Sequence, residues 1–286
     1  MRSFTVTMNP DRAVTLEAAL FDRPRSDQLP SSLENPRPAL IVCPGGGYEF
    51  LSQREADPAA FAFMRHGFSA FVLRYSIREH ATYPHPAVDA ARAVRWVRKH
   101  AADLGVDPTR VAVMGFSAGG HVTAMLGTMW HRDDLVAAER TEYGDLAARG
   151  VTANDGLLEH SSRPDAIVPC YAVFSFDWLP PAGRLTRLLK EDCLAAVGPE
   201  TPPAFVWTTG EDQTVPASQS LRFVTALEAA GVPYEYHHFA HGPHGLSTAE
   251  PVANADRPAL PENAHAWVDL CARWLRATWA RRDAGS

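Results

Sequence analysis

Little in this 286-residue chain points to oxidative cross-linking, export or a charged macromolecular partner. It has only four cysteines, Cys43, Cys170, Cys193 and Cys271. They are widely spaced in apolar contexts, which suits buried free thiols and argues against a disulfide frame or a thiolate metal site. No stretch approaches the roughly 20 apolar residues of a membrane span, and the opening MRSFTVTMNPDR lacks the apolar centre of a signal peptide. The expectation is a cytoplasmic protein without a membrane partner. Positive charge is not in excess either: 27 Lys and Arg stand against 33 Asp and Glu, a formal net charge of -6, so no nucleic-acid partner is expected. There are no internal repeats, no low-complexity tracts and no second core, so residues 1–286 read as one domain.

What is present is an ordinary globular composition, 46% hydrophobic and 21% charged, on a chain long enough to bury one large α/β core. Phe4 to Met8 and Val14 to Leu20 alternate and read as an opening antiparallel pair of strands. The stretch FDRPRSDQLPSSLENPRP reads as a surface loop. Strand Ala39–Cys43, a short helix from Pro58 to Gly67 and strand Ser69–Tyr75 follow. A helix from Pro86 to Leu104 then carries Ala87, Ala90, Ala91, Val94, Val97 and Ala101 inward, with Arg92, Arg95, Arg98 and Lys99 expected toward solvent and Gly105 closing it. Alternation of strand and helix implies right-handed crossovers in a mostly parallel sheet. From His131 to Pro164 the pattern turns acidic and irregular, and this segment and one at about 174–200 are expected as excursions or lids. Strands at Asp165–Tyr171, Ala204–Thr209 and Tyr234–Ala240, and helices at Arg184–Ala196, Pro216–Ala230 and Asn263–Ala280, complete the expectation.

The densest signal is VMGFSAGGH, Val113 to His121. It sets Ser117 in a G-x-S-x-G frame between an apolar strand and a helix, the pattern of a nucleophile elbow. Glycines two residues either side are explained if backbone lies where a Cβ would go. The helix N-terminus beside Ser117 favours a developing negative charge. A second signal is Pro44-Gly45-Gly46-Gly47-Tyr48 after a buried strand. Three successive glycines imply unusual φ/ψ or close approach to the backbone, a flexible turn being the plainer reading.

Serine is a weak nucleophile unless a base takes its proton, and an imidazole base needs a carboxylate to orient it. Ser117, Asp212 and His244 each end a predicted strand, and in a parallel sheet such ends share one edge, where ligands bind. Glu211 competes with Asp212 for the acid. The run His237-His238-x-x-His241-x-x-His244 looks at first like a metal cluster, but His237 and His238 adjoin in a strand and point to opposite faces. No metal or cofactor is expected. Phe174, Phe176, Trp178 and Leu179 either line a pocket mouth or belong to the core. His121 opens the helix after the serine, where it serves equally well as a packing residue.

GFSAGGH, PGGGY, GEDQTVP and PHGL, in that order, resemble the acetyl esterase and acetylxylan-esterase-like group of α/β-hydrolases, a group related to the hormone-sensitive-lipase-like esterases. The likeness runs from Ala39 to the C-terminal helix, with a gap over 131–164. It implies an α/β-hydrolase fold with antiparallel N-terminal strands, Ser117 as nucleophile, Asp212 as acid (four residues before the turn proline) and His244 as base. It implies an oxyanion hole of Gly46, Gly47 and Ala118 and a small-molecule ester substrate, with Tyr48, Phe174, Trp178 and Val215 as candidate substrate contacts. Cys43-Pro44 departs from the related H-G-G-G pattern, which changes the support behind the hole rather than its backbone donors. An amidase or formamidase would use the same residues, and a binding protein that has lost catalysis is the reading from another class.

Overall fold

The computed structural model describes residues 1–22, 36–151, 156–179, 183, 191–257 and 259–285. Its centre is an eight-stranded sheet: β1 (Arg2–Asn9), β2 (Val14–Leu20), β3 (Arg37–Cys43), β4 (Ser69–Arg74), β5 (Val106–Phe116), β6 (Ala166–Cys170), β7 (Ala204–Thr209) and β8 (Tyr234–Phe239). The strand order is β1-β2-β4-β3-β5-β6-β7-β8. β1 pairs with β2 and β2 with β4 in antiparallel fashion, and every later pairing is parallel. This is the α/β-hydrolase arrangement expected from the sequence, antiparallel entry included.

Seven helices flank the sheet: α1 (Asp57–Met64), α2 (His85–Lys99), α3 (Ala101–Leu104), α4 (Ala118–Met129), α5 (Asp133–Ala148), α6 (Ser218–Ala229) and α7 (Ala266–Ala284) among the described residues. The strand pleat divides the core in two. Ile41, Val113, Ile167 and Val206 face a cluster that includes Val94 of α2, Met125 of α4 and Phe223 of α6. Their neighbours Val42, Met114, Val168 and Trp207 face Phe63 of α1 and Trp267 and Leu275 of α7. Burial on both faces explains why the central strands read as continuous apolar runs; each such side chain contributes about 1.5–3 kcal/mol. The four cysteines are free and buried, as expected.

The layer under α5 departs from expectation. Residues 133–148 form a sixteen-residue helix, not irregular chain. It covers α2, so that Arg92 and Arg95, expected in water, are 1% and 8% exposed. Their charges are met there. Arg92 Nη1 lies 2.7 Å from Glu142 Oε1 and Arg95 Nε 2.8 Å from Glu139 Oε1, while Arg12 reaches Glu142 at 2.5 Å and Asp89 at 2.7 Å.

Two further helix expectations change. The helix from Pro86 divides at His100, whose ring and backbone N–H both bond the Trp96 carbonyl, and Gly105, at φ 70°, ends the short second part. Of the helix expected at 184–196, residues 184–190 lie outside the described residues. The remainder is turn, where Asp192 Oδ1 accepts from the amides of Leu194 and Ala195 and so competes with helical bonding. Residues 23–35 of the expected surface loop also lie outside the described residues.

Candidate active site

The C-terminal edge of the sheet collects the reactive groups. Ser117 sits between β5 and α4 with φ 53° and ψ -114°, a strained backbone for a residue with a Cβ. Its N–H is held by the Cys170 carbonyl at 3.0 Å. The reason for glycine two residues on is close approach: a Cβ on Gly119 would stand 2.0 Å from the carbonyl oxygen of Cys43 at the end of β3.

His244 Nε2 lies 2.9 Å from Ser117 Oγ, and its Nδ1 lies 2.6 Å from Asp212 Oδ2. The Asp212 side chain is fully enclosed, and its other oxygen accepts the amides of Thr214 and Val215, both at 2.8 Å. That pair of amides fixes the carboxylate in the turn after β7 and leaves one oxygen for the imidazole. Glu211, the rival acid, turns the other way and accepts from His241 and from the Gly242 amide. The loop carrying His244 is pinned from outside. Arg257 Nη2 donates to the carbonyls of His244 and Gly245, and Asn254 Nδ2 to that of Leu246.

The glycine run lies on the same edge. Gly46, at φ 129°, is open to no other residue, because a Cβ there would meet the Phe50 carbonyl oxygen at 2.1 Å. Among the described residues, the amides of Gly46, Gly47 and Ala118 donate to no protein acceptor. A cleft of about 530 Å³ has Gly46, Gly47, Ser117 and His244 in its lining. Its walls add Ser52, Arg54, Thr214, Asp256 and Arg257, a polar set, and the exposed ring of Phe50 stands at the rim.

The other candidate contacts are placed elsewhere. Tyr48 is buried, with its hydroxyl 2.8 Å from His121 Nδ1 and its ring edge-on to Tyr75. Phe174 is core, stacked on Phe223 with centroids 4.1 Å apart. Val215 is buried too and serves Asp212 through its amide. None of these three, nor Trp178, lines the described cleft. Trp178 is exposed and donates its indole N–H to the Ser175 carbonyl. His121 is a packing residue whose burial holds its pKa down to about 4. His237 pairs with Glu235 and His238 lies 3.3 Å from the Tyr236 hydroxyl. Among the described residues no cluster of His, Cys, Asp or Glu is arranged to hold a metal ion, and no helix is long and apolar enough to cross a membrane.

Sequence reasoning missed two residues. Glu55, 3% exposed, borders the cleft and accepts the Gly45 amide at 2.8 Å and the Tyr171 hydroxyl at 2.7 Å. Tyr171, at the end of β6, sets its ring edge-on to His244 with centroids 5.0 Å apart. Burial pushes the Glu55 carboxyl above the ordinary carboxylate range, against the pull of its donors and of His244.

A serine on a strained strand-to-helix turn, an imidazole and a carboxylate from later strand ends, and a sheet entered by antiparallel strands together define a class. Solved structures agree with it. An alpha/beta hydrolase enzyme, MGS-M1, from a Medee basin deep-sea metagenome library is 32% identical over 97% of this chain and 98% of its own, with a TM-score of 0.75. The chain belongs to the α/β-hydrolase superfamily.

Within it, the likenesses are more particular. The model of the family described as BD-FAE matches residues 28–154. An acetyl ester-xyloside bifunctional hydrolase from Caldicellulosiruptor lactoaceticus is 34% identical over 94% of this chain and 89% of its own, with a TM-score of 0.72. Endo-1,4-beta-xylanase B of Butyrivibrio fibrisolvens is 33% identical over 232 residues, 74% of this chain and 33% of that protein. The chain spans from 33% to 48% of the length of the first curated relatives it matches.

Proposed function

We propose that the protein is a carboxylic ester hydrolase that removes short acyl groups, acetyl foremost, from a carbohydrate or other small alcohol. The observation that carries the reading is the unbroken line of hydrogen bonds from Ser117 through His244 to Asp212, opening on a cleft. In the proposed reaction Ser117 Oγ attacks the ester carbonyl carbon while His244 Nε2 takes its proton. Asp212 holds the ring and stabilises the imidazolium. The carbonyl oxygen, now an anion, rests on the amides of Gly46, Gly47 and Ala118. Collapse expels the alkoxide, which takes the proton from His244. Water, deprotonated by the same imidazole, then attacks the acyl-enzyme, and as the second tetrahedral intermediate collapses His244 returns the proton to Ser117 Oγ and the acid leaves.

Acetyl preference and a sugar alcohol are supported by the similarity to an acetyl ester-xyloside hydrolase, and the cleft offers Arg54, Asp256 and Arg257 as hydrogen-bonding groups along a wall. Ser117→Ala is expected to abolish turnover of p-nitrophenyl acetate, with an unchanged circular dichroism spectrum. Retained turnover removes Ser117 from the reaction. A series of acyl lengths, run beside acetylated xylose and an N-formyl aryl amide, is expected to peak at acetyl esters. A peak at the amide would replace the esterase reading by a formamidase.

A further inference from the structure

Glu55 belongs to the short turn Gln53–Glu55 that follows the glycine run. Its carboxylate lies among pieces of four strand ends. A Cβ on Gly45, after β3, would be 2.6 Å from Glu55 Oε2 and 3.1 Å from the Ser117 Cβ, after β5. Tyr171, after β6, donates its hydroxyl to Oε1 and accepts the Ser247 amide at 2.9 Å. Gly245, after β8 and next to His244, would carry a Cβ 4.0 Å from Oε1. The surrounding ionisable groups are His244 and Tyr171, with Tyr75 and Cys170 behind them, both kept neutral by burial. Arg54, Asp256 and Arg257 stand along the cleft wall. Among the described residues no Arg or Lys pairs with Glu55.

A buried carboxylate with no cation beside it is a cost to the fold, and its two oxygens are spent on the two structures that the proposed chemistry needs held still. Glycines lose more conformational freedom on ordering than any other residue. An acceptor fixed on the Gly45 amide sets the plane from which the next two amides project. The Tyr171 hydroxyl, held by the same carboxylate, keeps its ring against the imidazole.

We infer that Glu55 is a positioning residue for ester hydrolysis, locking the oxyanion donors and the base His244 into one geometry through Gly45 and Tyr171. This rests on Ser117 being the nucleophile. The wild type and Ser117→Ala are therefore treated first with a fluorophosphonate probe; a wild type that takes no label at Ser117 overturns that reading whatever Glu55 does. With labelling established, Glu55→Gln is expected to lower kcat for p-nitrophenyl acetate at least about 10-fold, approaching the roughly 10²–10³-fold cost of losing a whole oxyanion donor in Glu55→Ala. KM stays within about twofold, since the interaction acts on the transition state. The acid limb of the kcat/KM profile moves to lower pH in Glu55→Gln, because a negative charge facing the imidazole is gone. Tyr171→Phe keeps the ring and guards against a Glu55 variant that fails to fold; its kcat is expected to fall several-fold at constant KM. Full kcat in Glu55→Gln, or in Tyr171→Phe where the Glu55 variants do not fold, overturns the inference. So does a loss that follows the unfolded fraction while the acid limb stays in place.

Discussion

Two regions of this molecule bury charge, and they do so differently. Between α2 and α5, three arginines meet three carboxylates: Arg12, Arg92 and Arg95 against Asp89, Glu139 and Glu142. Burial alone would push the Glu142 carboxyl up, but Arg12 and Arg92 outweigh it and hold it below the ordinary range. At the edge of the sheet, Asp212 and Glu55 are as deeply enclosed, yet among the described residues neither has an Arg or Lys partner. Their oxygens are occupied by backbone amides, a phenol and an imidazole. Matched charges join elements together. Unmatched carboxylates surrounded by neutral donors hold an electrostatic field in place, which a reaction that creates charge can use.

That contrast can be broken from either side. Asp212→Asn, which keeps shape and removes charge, is expected to lower kcat for p-nitrophenyl acetate by about 10⁴-fold with little change in the urea midpoint. Near-normal turnover would make Asp212 a structural acid like those under α5. Glu142→Ala should do the reverse. It strands Arg92, leaves Arg12 with Asp89 alone, and is expected to cost about 3–5 kcal/mol of stability in urea unfolding, while kcat per folded molecule stays at the wild-type value. A loss of kcat without a loss of stability would erase the distinction between the regions.

His121 sharpens it with a third solution, burial without charge. Its folded pKa is lowered to about 4 from 6.5, so between those values the unfolded chain binds a proton that the folded chain refuses. Stability is therefore fully present above pH 6.5 and lost as pH falls toward 4, by about 3 kcal/mol in all. His121→Asn is expected to flatten that part of the stability curve. Parallel curves for variant and wild type would show that the acid sensitivity comes from elsewhere.

The candidate site was legible where its residues carry local constraints. Ser117 needs its glycines because another backbone passes within contact, and Asp212 and His244 end strands that alternate with helices. The same signals fail where burial is decided by distant chain. The inward face of α5 carries Leu135, Glu139, Tyr143 and Leu146, so a carboxylate interrupts the apolar period, and Arg92 and Arg95 look solvent-facing until that helix covers them. Glu55 resembles any polar loop residue, since its partners at Tyr171 and Gly45 are joined only by the fold. Tyr48 and Phe174 have the chemistry of pocket residues, but only three-dimensional packing reveals that both are core.

The approach of Gly119 to Cys43 beneath the cleft separates positions that redesign can reach from positions it cannot. With the carbonyl of β3 only 2.0 Å from where a methyl would sit, any larger residue at 119 would have to push the start of α4 away from the end of β3. A library meant to change the substrate has no useful diversity to find there. Phe50, more than half exposed at the cleft rim, is the opposite case. Its backbone carbonyl constrains Gly46 and one edge of its ring stands beside that glycine, but most of the side chain is open at the cleft, so exchange at 50 reshapes the rim while the carbonyl that fixes Gly46 stays in place. The rim of the proposed site is thus open to change where its closely packed floor is not.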